Sequence, residues 1–268
     1  MVCTEGHCFD LAAKGYVNLA AAGSNDLYDE ALFAARREVF EAGFFVPLYM
    51  VIAQIAKSKR GVWLDAGCGE GSGLRYMAEG LGLEMGVKLG LGLCSGFGAT
   101  ASAMIGADLS KEGIRMAAAS TADMEKFVWL VADLARLPLA DASVDVLLNV
   151  LSPANYAEFG RVLAADGLVV KVIPGARYLQ ELRAAFFADS EKETHEAQAS
   201  AEAFMRAYPE AKVLPVRYEA GMDAETMRHL LDMTPLTQNV SQAEKDAFVA
   251  RGACDVTADF IILVNEQQ

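Results

Sequence analysis

The run Trp63-Leu64-Asp65-Ala66-Gly67-Cys68-Gly69-Glu70-Gly71 constrains the fold of this 268-residue chain more than any other segment. An apolar stretch, an acid and three glycines at alternating positions read as a β-strand turning sharply into a helix. Bare backbone amides at such a turn, and at the helix N-terminus behind it, are open to a ligand. Dinucleotide sites follow G-x-G-x-x-G, without an acid two residues ahead of the first glycine. Here Asp65 precedes Gly67 and the glycines fall as G-x-G-x-G. A glycine-rich turn alone is equally an ordinary tight turn, so the reading depends on what lies downstream.

From residue 61 onward apolar strands alternate with helical patterns. Strands are predicted at 61–66, 103–107, 127–132, 144–150, 168–173, 212–219 and 258–264, and helices at 71–79, 111–119, 155–164, 177–187 and 197–208. Alternation of this kind implies an α/β fold with a doubly wound, mostly parallel, seven-stranded Rossmann-like sheet. Ligands in such sheets sit beyond the carboxyl ends of the strands, where Asp65 and its loop fall. Ahead of the sheet, residues 27–57 read as two helices, the second beginning at Pro47. The expected divisions are a short extension over 1–24, a helical lead-in over 25–60, and the sheet domain over 61–268. The domain carries an insertion at 80–104 with seven glycines and only two charges.

Three further strand ends carry polar groups. Asp108, ending Ile105-Gly106-Ala107-Asp108-Leu109-Ser110, is placed to accept hydrogen bonds from the vicinal hydroxyls of a ribose. Asp133, ending Phe127-Val128-Trp129-Leu130-Val131-Ala132-Asp133-Leu134, either accepts an adenine amine beside the Leu134 amide or caps a following helix. Asn149 ends Val144-Asp145-Val146-Leu147-Leu148-Asn149, and either lies beneath a reacting group or forms a turn. Asp65, Asp108, Asp133 and Asn149 on four successive strand ends make a combined signal that none carries alone.

The net charge of −13 argues against sequence-blind binding to phosphate backbones. Residues 184–268 hold seven basic against fifteen acidic side chains, so a local basic face is expected only in the N-terminal third, at Lys14, Arg36, Arg37, Lys57, Lys59 and Arg60. Five scattered cysteines give no disulfide framework and fit a reducing cytoplasm. No signal peptide is expected from the first residues. The uncharged stretch Leu89–Ala107 approaches membrane-span length but is broken by five glycines, so no membrane partner is expected.

The Asp65–Gly71 turn, with Asp108, Asp133 and Asn149, is similar to the cofactor motifs of class I S-adenosylmethionine-dependent methyltransferases. Over nearly its whole length the chain resembles the bacterial 23S ribosomal RNA guanine-N1 methyltransferases. The resemblance runs in order through Cys3-Thr4-Glu5-Gly6-His7-Cys8, Lys14-Gly15-Tyr16-Val17-Asn18-Leu19, Ala35-Arg36-Arg37, Gly43-Phe44-Phe45-Val46-Pro47-Leu48, the glycine turn, Asp108-Leu109-Ser110-Lys111, Pro174-Gly175-Ala176-Arg177-Tyr178-Leu179 and Met233-Thr234-Pro235-Leu236.

The resemblance implies methyl transfer to N1 of a loop guanine in 23S rRNA, with S-adenosyl-L-methionine as donor. It implies cofactor contacts from Phe45, Asp65, Gly67, Gly69, Glu70, Gly71, Asp108, Leu109, Asp133, Leu134, Asn149 and Tyr178. Cys3 and His7 would be half of a family-type zinc site; with four ligands needed for structural zinc, none is expected in this chain. Guanine N1 must lose a proton, for which Glu70 and Asp10 are candidates, and the base must be stacked, for which Tyr16, Phe44, Phe45 and Tyr178 are candidates. A homodimer stays open. The acidic charge and partial zinc module leave two alternatives: a methyltransferase acting on a small molecule, or a non-catalytic cofactor-binding relative.

Overall fold

The structure, a computed structural model, describes residues 6, 8–20, 29–79, 101–187 and 192–266, with side chains from 197 in the last stretch. Cys3, His7 and most of the 80–104 insertion lie outside the described residues.

A short strand β1 (Tyr16–Asn18) precedes two helices, α1 (Glu30–Glu41) and α2 (Val46–Ala56). The sheet then builds through β2 (Gly61–Ala66), α3 (Ser72–Glu79), β3 (Ala101–Asp108), α4 (Lys111–Ser120), β4 (Phe127–Val131) and β5 (Val144–Val150). It continues through α5 (Tyr156–Val162), β6 (Leu163–Pro174), α6 (Gln180–Phe186), α7 (Lys192–Ala207) and β7 (Lys212–Met222). The chain closes with α8 (Ala224–Met233), a 3-10 turn at Pro235–Thr237, α9 (Gln242–Val249) and β8 (Cys254–Glu266). Strand order is β1-β4-β3-β2-β5-β6-β8-β7, parallel except at β8, which runs antiparallel to both β6 and β7.

The doubly wound sheet is as expected, with eight strands instead of seven. The extra one is β1, which lays Tyr16 opposite Trp129 and Asn18 opposite Val131 along the outer edge of β4. Three residues are too few for any periodicity to reveal. Helices α8 and α9 were also not anticipated, although their caps were present in the sequence. The Asp223 side chain accepts from Thr226 N, and Ser241 with Glu244 forms a reciprocal capping box. Helix α6 starts three residues later than expected because Leu179 takes a left-handed conformation, φ 52°, just before it.

Parallel strands are covered on both faces, so their side chains sort into two cores. Trp63, Val146, Leu148, Val170 and Val172 face a core shared with α1, α2 and α8, while Leu64, Leu147, Val169 and Ile173 face one shared with α5 and α7. Helix α2, apolar nearly all round, is built into the first core. No single helix among the described residues is long and apolar enough to cross a membrane.

Trp129 locks the β3–β4 side. Its ring stacks on Phe127 at 5.4 Å and 7°, and fills space that Cβ atoms on Gly71 and Gly106 would take. Its indole Nε1 donates to the buried Thr121 Oγ1 at 2.8 Å. Thr121→Val keeps the shape and strands that N–H, so unfolding in denaturant should show a loss of about 1–3 kcal/mol.

Candidate active site

The carboxyl ends of β4, β3, β2 and β5 stand side by side in parallel register, so Asp133, Asp108, Asp65 and Asn149 share one edge of the sheet. The glycine turn after β2 folds over the end of β3: Gly67 N and Cys68 N both donate to Ala107 O, at 2.7 and 3.2 Å. Gly69 N goes on to the Asp108 carboxylate at 2.9 Å, whose other oxygen accepts from Ser110 N at 2.8 Å. Ala132 N donates to Asp108 O at 2.9 Å and brings in the end of β4. One carboxylate therefore ties the glycine turn to the start of α4, and each of its oxygens keeps a lone pair for another donor. Burial pushes the Asp108 pKa up, with the Ser110 and Gly69 amides opposing.

Gly67 and Gly71 adopt φ 86° and 81°, which L side chains rarely take. What each makes room for is protein. A Cβ on Gly67 would stand 1.9 Å from Ser152 Oγ in the loop after β5, and one on Gly71 would stand 2.6 Å from Trp129 Cη2. At these two glycines the space a Cβ would take is filled by the protein itself, which leaves only their backbone for a ligand. Gly69 is different, for a Cβ there would face Phe33 and Arg36 of α1, at 3.3 Å and 4.0 Å.

Helix α1 thus lies across the turn and holds it by charge. Glu70, 2% exposed, accepts from Ser72 Oγ at 2.6 Å and pairs with Arg37 Nε at 3.4 Å, while Arg37 also donates to Met116 O. A carboxylate so engaged is a tether for α1. Arg36 sits among Tyr49, Glu70, Tyr178 and Asp65, its guanidinium 6.0 Å from the Phe45 ring centre. The expected basic face shrinks accordingly. Arg36 and Arg37 turn inward, Lys59 binds Asp166 O and Glu266, and Lys14, Lys57 and Arg60 remain exposed.

Phe45 and Tyr178, far apart in sequence, meet at Phe260, with ring centres 6.2 and 5.1 Å from it. Tyr16, Phe44 and Phe45 are buried at 7% exposure or less, so none of the three presents a ring face for a base to stack on. Asp133 is exposed and accepts from Ala135 N at 2.9 Å, closing a turn where a helix cap was one expectation. Leu134 and Leu109 flank the same edge, the Leu134 side chain reaching toward Gly67.

Asn149 is held entirely by protein partners. Fully buried, it donates to Ala66 O at 2.6 Å and Pro153 O at 3.0 Å, and accepts from Lys171 Nζ at 2.6 Å. Lys171, 2% exposed, also donates to Ser152 O, and burial pushes its pKa down to about 8. Together they brace the loop 151–155, which starts with Leu151 at φ 52°. Sequence reasoning passed over Lys171, Ser152 and Phe33, whose types carry no motif and whose roles come from strand register and helix placement.

Asp65 is the least satisfied group on this edge. It is 2% exposed, its Oδ1 is buried without a partner, and burial pushes its pKa up to about 7, with Arg36 lowering and Asp108 and Glu70 raising it. An orphaned buried acceptor is costly unless something arrives to satisfy it, and the α-ammonium of S-adenosylmethionine fits that need. No group of three or more metal-ligand side chains occurs among the described residues; Cys8 is described and exposed, whereas Cys3 and His7 are not described.

The raised Asp65 pKa gives a stability test in the ligand-free protein. The folded state keeps the Asp65 proton to higher pH than the unfolded chain does, so stability is lost as pH rises from about 4 to about 7. Asp65→Asn removes this term. The variant should match wild type near pH 4 and exceed it by roughly 2–4 kcal/mol at pH 7.5 in denaturant unfolding.

Comparison with known proteins agrees with this geometry. Residues 83–170 match the Methyltransferase domain family Methyltransf_11. YxjB of Bacillus subtilis (strain 168), named as a candidate 23S rRNA (guanine-N1)-methyltransferase, is 38% identical over 271 residues, covering 98% of this chain and 90% of that protein. A Streptomyces fradiae protein named 23S rRNA (guanine(748)-N1)-methyltransferase is 30% identical over 67% of this chain and 59% of its own length. The crystal structure of YcgJ from Bacillus subtilis is similar in fold, with TM-score 0.50 and 15% identity over 82% of this chain and 97% of that one. This chain belongs to the 23S rRNA guanine-N1 methyltransferase family and is an S-adenosylmethionine-dependent methyltransferase.

Proposed function

We propose that this protein methylates N1 of a guanine in 23S rRNA, acting in the cytoplasm on a guanine held in a loop. The similarity to YxjB, which extends over 98% of the chain, is the observation that carries the reading. The position along the rRNA named for the Streptomyces fradiae relative is that protein's own and is not transferred.

S-adenosylmethionine supplies a methyl group on a sulfonium, already electrophilic, so the residues of the chain have mainly to bind, orient and exclude water. In the proposed arrangement Asp65 faces the amino-acid end and Asp108 accepts from the ribose hydroxyls with the lone pairs its two amides leave open. Asp133, the one acid of the edge that is exposed, faces the adenine together with Leu134. Phe33, Phe45 and α1 keep water from the glycine turn. The loop 151–155, fixed from below by Asn149 and Lys171, forms the wall nearest the acceptor base. Among the two carboxylates first considered for the N1 proton, Asp10 stays accessible: the Leu11–Val17 bridge turns the preceding residues back toward the carboxyl end of β4.

Two experiments test this. Incubated with labelled S-adenosylmethionine and 23S rRNA from cells lacking N1-guanine methylation, the protein should place the label in 1-methylguanine at one site. Label elsewhere, or none in RNA, refutes the substrate. Separately, Asp108→Ala should weaken S-adenosylhomocysteine binding by at least about 100-fold in calorimetry, because it removes two charged hydrogen bonds to the ribose together with the support of the glycine turn; undiminished affinity excludes Asp108 from the ribose site.

A further inference from the structure

Arg36 has a setting unlike that of its neighbour. Arg37 spends its guanidinium on Glu70 and Met116 O, whereas Arg36, on the next turn face of α1, donates no hydrogen bond to any described residue. Yet it is a half-buried charge and not a fully exposed one. Its guanidinium lies over the Phe45 ring, with Cζ 4.0 Å from where a Cβ on Gly69 would stand, and Tyr49, Tyr178, Glu70 and Asp65 surround it. Beside it, Asp65 Oδ1 is buried and without a partner. A forked cation with open donors and a buried carboxylate with open acceptors therefore stand next to one another without forming an ion pair.

Such an arrangement is costly while empty: Asp65 Oδ1 has left water without a partner, and the half-buried guanidinium beside it leaves its donors unused by the protein. What relieves both at once must carry an anion and a cation a short distance apart. An α-amino acid does: its ammonium offers three donors, which a carboxylate accepts, and its carboxylate matches the bidentate fork of a guanidinium. The other charges do not compete, since Glu70 is already held by Arg37 and Ser72, and Asp108 by the Gly69 and Ser110 amides.

We propose that Arg36, reaching in from α1, binds the α-carboxylate of the methyl donor while Asp65 binds its α-ammonium. The proposal rests on the reading of this edge as the S-adenosylmethionine site and adds the residue that selects for the amino-acid carboxylate. It also gives α1 a reason to cross the turn. The helix delivers the one cation the strand tips lack, since the polar residues on those tips are Asp65, Asp108, Asp133 and Asn149.

The test uses three ligands that differ only at that end: S-adenosylhomocysteine, its decarboxylated analogue, and 5′-methylthioadenosine, which lacks the amino-acid carbons altogether. Binding is measured by calorimetry to wild type, Arg36→Lys and Arg36→Met. For Arg36→Met, affinity for S-adenosylhomocysteine should fall about 10- to 100-fold, the loss expected for a charged hydrogen-bonded pair, while the other two ligands change by less than about 3-fold. Arg36→Lys, which keeps the charge but not the fork, should fall in between. Equal losses for all three ligands would mean that Arg36 only shapes the cleft, and unchanged binding of S-adenosylhomocysteine would mean it touches nothing there; either overturns the proposal. Failure of wild type to bind any of the three would instead overturn the cofactor reading beneath it.

Discussion

The Asp108 carboxylate is the joint on which the active edge is hung. Its two oxygens hold Gly69 N and Ser110 N at 2.9 and 2.8 Å, so the turn leaving β2 and the first turn of α4 cannot move independently. Everything else at the edge is placed relative to that joint. Gly67 and Cys68 lean on Ala107 immediately below it, Ala132 hangs from the Asp108 carbonyl, and Ser110 caps α4 by accepting from Gly113 N. Because amide donors stabilise the charged carboxylate while burial opposes it, the joint is strongest when the surroundings stay dry on one side and hydrogen-bonded on the other. The arrangement of a buried strand end under a polar turn meets both conditions.

The strands were readable because each carries its own period and ends in a polar residue, and parallel topology brings those ends together without further information. The Asp65–Gly71 run, Asp108, Asp133 and Asn149 were found for that reason. What the polar ends do was less readable. Asn149 was legible as a strand end, but its partners come from β6 through Lys171 and from the Ala66 and Pro153 carbonyls, relations set by register and not by motif. Gly67 and Gly71 were legible as turn glycines, yet the atoms that require them, Ser152 and Trp129, lie in the loop after β5 and in β4.

Charge was the hardest quantity to place. Arg36 and Arg37 read as members of a basic face because they sit among Lys14, Lys57, Lys59 and Arg60 in a chain that is otherwise acidic. Their actual direction depends on α1 lying over the glycine turn, with Val39 and Phe40 buried and Arg37 tied to Glu70. An amphipathic helix shows which residues share a face, and not which acid that face will meet. The adjacent pair divides the labour: Arg37 neutralises Glu70 and holds the helix down, leaving Arg36 uncommitted.

The balance of charge at this edge has a consequence for turnover. When all three carboxylates are ionised, Asp65, Glu70 and Asp108 against Arg36 and Arg37 leave one negative charge in excess, in a region where burial raises the Asp65 and Asp108 pKa values. On the proposed reading the donor arrives as a zwitterion plus a sulfonium, a net cation, and its sulfonium charge is lost once the methyl group leaves. The field that favours the donor thus favours the spent cofactor less. Coulomb attraction between partly buried charges is worth more than in bulk water, so the same excess negative charge that draws the donor in weakens its hold after transfer. The buried acids, costly to the empty fold, are in this sense matched to the one charge that the reaction removes.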